Sequence, residues 1–140
     1  MRHLVLFCLA LFAVVACAKS GPSVEIKGKT FTVEIAEDDA SRAHGLMDRT
    51  QMDDDHGMLF IFQNDAPRAF WMKNTKLPLD MIFVDANRKI VSVTHGAEPC
   101  VTERCPAYTS GAPARYVLEL NAGQAAKLGL TSGDELIVHR

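Results

Sequence analysis

Residues 79–84, Leu-Asp-Met-Ile-Phe-Val, narrow the possible folds more than any other stretch of the chain. As a strand they place Asp80, Ile82 and Val84 on one face and Leu79, Met81 and Phe83 on the other. Apolar groups on both faces demand cover on both sides, which a surface hairpin does not provide. A carboxylate inside such a strand must find donors, because burying it without partners is costly. Just upstream, Phe70-Trp71-Met72 leads into the polar turn Asn74-Thr75-Lys76 and then Pro78. Large aromatic area beside an amide, a hydroxyl and a carboxylate suits either a tight structural turn or the floor of a binding pocket.

Strand patterns recur on both sides of this stretch. Residues 24–27 and 30–36 flank Gly28-Lys29 and read as a hairpin, with Phe31, Val33 and Ile35 alternating against Thr30, Thr32 and Glu34. Asp38 or Asp39 caps a helix predicted to run to about Met47. Residues 58–62 form a continuous apolar strand, 63–68 with Pro67 read as a loop, and 69–72 as a strand. Residues 85–88 have turn composition before a returning strand, 89–95. Residues 95–113 show no periodicity and read as a long loop. A strand at 114–120 precedes a short helix with Asn121 as cap, Gln124 three residues on and Gly129 at its end. Residues 135–139 make the last strand. The sum is a mainly β, α+β domain: a small sandwich, jelly-roll or barrel-like sheet with two short helices.

The 140 residues suffice for one domain with its own core. Net charge is −2 and no Lys/Arg run exceeds two residues, so the basic stripe that nucleic acid requires is missing. Residues 1–17 read as a signal peptide, with a short basic start, an apolar run from Leu4 to Val15, and Val14-Val15-Ala16-Cys17 as a lipobox. That run is too short for a comfortable membrane span. Cys17 is then the lipidated residue, 18–23 a tether and 24–140 the domain. Lipid is the predicted membrane partner, and Ala18 after the cysteine favours the outer membrane of a two-membrane cell. Cys100 and Cys105 remain for the exported domain, where a disulfide is the expected state. A redox or metal pair is the alternative, although C-x4-C is not the redox spacing. Asp53-Asp54-Asp55 lacks the ligand spacing of a calcium loop and reads as a solvated acidic turn.

Taken together, Gly45-Leu46-Met47 with Arg49, Gly57-Met58-Leu59-Phe60 with Phe62, Phe70-Trp71-Met72 with Asn74-Thr75, Pro78-Leu79-Asp80, Pro99-Cys100 with Cys105 and Tyr108, and Val117-Leu118-Glu119 with Gly123 resemble the DUF192 (UPF0127) family. The resemblance spans residues 30–138. It implies a small β-rich domain of sandwich or jelly-roll type, often behind a signal or lipoprotein leader, and implies no activity.

Arg49, Trp71, Asn74, Asp80, Tyr108 and Glu119 are the candidate site residues. Aromatic faces with carboxylates and an amide are what a sugar or another small polar ligand requires. In the structural alternative Asn74 ties down its own turn, Asp80 caps backbone amides or pairs with Arg49, and Trp71 is core. An enzyme using Asp80 and Glu119 as acid and base needs both carboxylates in one cleft. A copper site would draw on the methionines and on His44, His56 and His95, but core methionines are more often packing groups. The reading is a small-molecule or partner-binding domain, with no cofactor and no metal assigned.

Overall fold

The structure, a computed structural model, describes residues 21–140. The predicted leader, the lipobox Cys17 and the first residues of the tether lie outside the described residues. Seven strands form one sheet: β1 Ser23–Ile26, β2 Lys29–Ala36, β3 His56–Trp71, β4 Leu79–Val84, β5 Ile90–Ala97, β6 Ala107–Asn121 and β7 Leu136–His139. Their order is β5-β4-β6-β3-β2-β1-β7. Neighbours are antiparallel except β2 and β3, which run parallel. A parallel pair cannot be joined by a tight turn. Helix α1, Asp39–His44, and the segment behind it therefore cross over between those two strands.

The sheet curls into a half-barrel, and its end strands are laced together. Ile90 N donates to Asp134 O at 2.8 Å, Leu136 N donates to Arg88 O at 2.9 Å, and Lys89 bridges Glu135. One apolar cluster takes residues from every strand, including Ile26, Phe31, Leu59, Ile82, Ile90, Leu118 and Leu136. Only the concave face can gather all seven strands. The second cluster, with Met58, Phe60, Met81, Phe83 and Val117, lies on the convex face under Leu46 and Met72. Strand β4 is buried along its whole length, with Ile82 and Val84 in the first cluster and Leu79, Met81 and Phe83 in the second. The predicted two-faced burial of this strand is what the fold shows.

Two stretches read as loops are strand. Strand β3 runs through Gln63 to Arg68, and β6 begins at Ala107. The register between them slips twice, between Ile61 and Ala66 and between Pro67 and Ala69. Pro67 faces Pro113 at the second slip, a place where a missing N–H is tolerated. Arg68 holds the bulge, with its N–H donating to Ser110 Oγ and its Nε to Ala114 O, both at 2.9 Å. The arms beyond the bulge, 66–71 and 107–114, reach past the half-barrel as a hairpin-like extension.

Both helices are shorter than their sequence pattern. Asp38 caps α1 as predicted, through a capping box with Ser41, but the helix ends at His44 because Gly45 takes a left-handed φ of 51°. Helix α2, Gln124–Lys127, starts after Gly123 without a side-chain cap of its own. Asn121, the predicted cap, instead closes β6 and donates from Nδ2 to Met52 O at 2.8 Å. Cys100 and Cys105 form the disulfide.

Gly57 sits on β3 opposite Leu120 of β6, with no room for a side chain. A Cβ there would lie 2.4 Å from Glu119 O and 2.7 Å from Leu120 Cδ2. The first is backbone in the middle of the sheet and has nowhere to go. Gly57→Ala is expected to destabilise the fold by about 2 kcal/mol through overpacking. Urea denaturation checks this, and unchanged stability would mean that the two strands separate freely.

Candidate functional site

The crossover between β2 and β3 lays α1 and residues 45–47 over the convex face, opposite the extension of β3. Between them opens a cleft of about 330 Å³. One wall is α1 and its exit, with Arg42, His44, Leu46 and Met47; the other is β3, with Phe60, Phe62, Phe70 and Trp71. Thr75, Lys73 and Glu119 complete the lining. Phe70 meets Phe60 edge to face at 4.9 Å, Phe62 at 6.3 Å and Phe83 at 6.0 Å, so the aromatic wall is braced from behind. Trp71 stands at the rim, 54% exposed, and is neither core nor buried floor.

Glu119 is the unusual member. The register of β6 turns it to the convex face, opposite Met81 of β4 and Met58 of β3. It is 4% exposed, and among the described residues its carboxyl has no hydrogen-bond or ion-pair partner. Among the described residues no side-chain polar atom is both sealed and unpartnered, so the Glu119 oxygens keep their contact with the cleft. Burial raises its pKa to about 8, since water is withheld from the charged form and no cation replaces it.

The cations around the cleft are engaged elsewhere. Arg42 pairs with Asp39 at 2.7 Å, donates to Glu37 O and Ile61 O, and lies over the Phe62 ring at 5.2 Å. Arg68 covers the same ring at 3.8 Å. Lys73 donates from Nζ to Thr102 O at 3.0 Å.

Of the six residues singled out from sequence, only Trp71 and Glu119 line this cleft. Asp80 lies on the concave face, where Oδ1 accepts from Gly96 N at 2.9 Å and Oδ2 from Ala125 N at 2.8 Å. It caps backbone amides, one of them in the first turn of α2, and does not meet Arg49. Asp80 pairs in register with Leu120, and Glu119 with Met81. The two carboxylates therefore point to opposite faces, and the acid–base pair considered for an enzyme is not assembled.

Arg49 is bound to Glu34 at 2.5 Å, whose second oxygen lies 3.0 Å from His56 Nε2. Burial pushes the Glu34 carboxyl up, but the bonds and charges of Arg49 and His56 outweigh it and hold the group below its ordinary range. Asn74 takes a left-handed φ of 54°, which asparagine tolerates well, and works through its backbone. Its N–H donates to Cys100 O and its carbonyl accepts from Asp48 N, both at 2.9 Å, so it ties the disulfide loop to the exit of α1. Tyr108 sits opposite Phe70 and packs half-buried against the convex cluster.

The six candidates left out Phe60, Phe62, Phe70, Thr75 and the α1 wall, although Phe70 and Thr75 lie in the stretch that reads as a structural turn or a pocket floor. The alternation of Phe60 and Phe62 was visible, but what faces it depends on the crossover. Met58, Met72 and Met81 are buried in the convex cluster as packing groups. Among the described residues no set of three or more His, Cys, Asp or Glu side chains gathers at metal-binding distance.

The curled β-sheet, with a lined cleft on its outer face and a buried acid among the lining residues, defines a compact β domain. The family model for DUF192, "Uncharacterized ACR", matches residues 22–138, and the chain belongs to that family. Two solved structures share the fold at a TM-score of 0.75. One, a "putative transcription regulator" from Sinorhizobium meliloti 1021, is 43% identical over 84% of this chain and 91% of its own. The other, a protein of unknown function from Novosphingobium aromaticivorans DSM 12444, is 33% identical over 91% of this chain and 94% of its own. No curated protein matches.

Proposed function

We propose that this is a ligand-binding domain of an envelope lipoprotein, and that its ligand is a small molecule held in the cleft between α1 and β3. The observation that carries the reading is Glu119, a buried carboxyl that opens on the cleft and has no partner among the described residues. A buried ionisable group without a partner is costly to the fold, and such groups are characteristic of functional clefts. The braced phenylalanine wall supplies the apolar area that small-molecule sites use. Binding is favoured over acid–base catalysis because the second carboxylate that catalysis would need is spent on backbone amides. The leader pattern ending in Val14-Val15-Ala16-Cys17 supports anchoring through lipid. The regulator name of the Sinorhizobium protein is not carried over, since the charge of −2 gives no footprint for nucleic acid.

Native mass spectrometry of the protein purified without chelator from an exporting host tests the reading. The expected result is an added mass that disappears on denaturation and is lost when Phe70→Ala opens the aromatic wall. Trp71 is the chain's only tryptophan and stands on the rim, so its emission reports the same event. A bare chain whose tryptophan emission no small-molecule panel moves would sink the proposal.

A further inference from the structure

The chemistry of the cleft selects among small molecules. Its floor is one carboxyl, its walls are aromatic, and its peripheral cations are held by other acceptors: Arg42 by Asp39 and two carbonyls, Lys73 by Thr102 O. An anionic guest would meet a carboxyl that burial keeps neutral, and to gain a counter-charge it would have to pull those cations from their partners. A neutral polyol would set its hydroxyl groups against aromatic faces. An inorganic cation would need further donors close to Glu119, and the described residues offer no such set. A group that carries positive charge on an apolar stem satisfies the acid and the ring faces together.

We propose, resting on the reading of this cleft as a ligand site, that its ligand presents an organic ammonium group to Glu119 and lays its apolar stem along Phe60, Phe70 and Trp71. The strands on either side of Glu119 bring only Met58 and Met81 against it, so no neighbouring charge competes for the cation. The ionisable groups that line the cleft are Asp39, Arg42, His44 and Lys73. Asp39 lies fully exposed beside Arg42. Burial keeps Glu119 protonated at neutral pH in the empty protein. Entry of the ammonium ion therefore releases the carboxyl proton to solvent, and the ion pair takes its place with no other bond made or broken.

The test uses three probes of one shape: phenethylamine, 2-phenylethanol and phenylacetate, titrated into the whole protein while Trp71 emission is followed. Phenethylamine is expected to bind at least about tenfold more tightly than the alcohol, a difference of about 1.4 kcal/mol. Glu119→Gln, which keeps shape and removes charge, is expected to abolish that preference while still binding the alcohol. Calorimetry in buffers of different ionisation enthalpy should show proton release with the amine on the wild type and none on the variant. Equal binding of amine and alcohol, or tighter binding of phenylacetate, overturns the ammonium inference and leaves the cleft as a ligand site. A preference for the amine that persists in Glu119→Gln overturns it as well. If none of the three moves Trp71 emission, the ammonium inference falls, while the ligand site itself stands or falls by the added mass and the wider small-molecule panel.

Discussion

Replacing Glu119 by glutamine is expected to stabilise the protein at pH 8 by on the order of 4 kcal/mol and to leave its stability near pH 4.5 unchanged. The sign follows from proton binding. In the unfolded chain the carboxyl ionises around its ordinary value of 4.5, whereas in the folded protein burial holds the proton until about 8. Between those values the folded state binds more protons than the unfolded one, so stability falls as pH rises. The contribution is fully present below 4.5 and fully lost above about 8. Glutamine has the shape of the protonated acid and does not titrate, so the variant lacks this slope.

Other shifted carboxyls act elsewhere on the pH axis. Glu34, Asp38, Asp134 and Glu135 are all held below their ordinary values, so what they contribute is lost on the acid side, as pH falls through their folded values. The difference between wild type and Glu119→Gln isolates the one group. Urea denaturation from pH 4.5 to 8.5 measures it, and two parallel stability curves would show that water reaches the Glu119 carboxyl freely.

Asp80→Ala is expected to destabilise the fold by about 3 kcal/mol. Its carboxylate takes two backbone donors at once, Gly96 N from β5 and Ala125 N from α2, and the side chain is wholly buried. Alanine strands both amides on the concave side and leaves a small cavity beside Ile82 and Ala125. It also removes the acceptor on which the first turn of α2 depends, since Gly123 has no side chain to cap that helix. Asparagine is no remedy, because its amide nitrogen would face one of the two N–H groups. A drop in Tm of roughly 10 °C is the corresponding thermal readout for a domain of this size. Phenethylamine affinity in the surviving folded fraction should be unchanged, because Asp80 lies on the face away from the cleft. Loss of stability below about 1 kcal/mol would mean that water replaces the carboxylate at both amides.

The two carboxylates show what could and could not be read in advance. The alternation around Asp80 already assigned it a face shared with Ile82 and Val84, and burial among apolar neighbours required partners. Which amides it would meet was not legible, because Gly96 and Ala125 are 16 and 45 residues away and reach it only when β5 returns and α2 folds over the half-barrel's end. Glu119 stood in the middle of an apolar run and could be marked as anomalous. That it opens on a cleft follows from the parallel pairing of β2 and β3, which forces a crossover and sends α1 over the convex face. Arg49 and Tyr108 had suitable chemistry but were drawn into contacts with Glu34 and Phe70 by pairing partners distant in the chain.

The misread loops have a similar cause. Pro67, Gly111 and Pro113 carry loop signals, because each disturbs a regular ladder of hydrogen bonds. They do disturb it, at the two slips between β3 and β6, yet pairing resumes beyond them. Sequence alone determined the strand at 79–84, the first hairpin, the capped start of α1, the cysteine pair and the mainly β class. Those features depend on side-chain period, local capping and short loop closure, which act within a few residues of chain. Tertiary structure decided the curl of the sheet, the bulged extension of β3 and β6, the partners of Asp80 and the isolation of Glu119. Each of these depends on segments that are far apart in the chain and meet only after the backbone ladders have set their register.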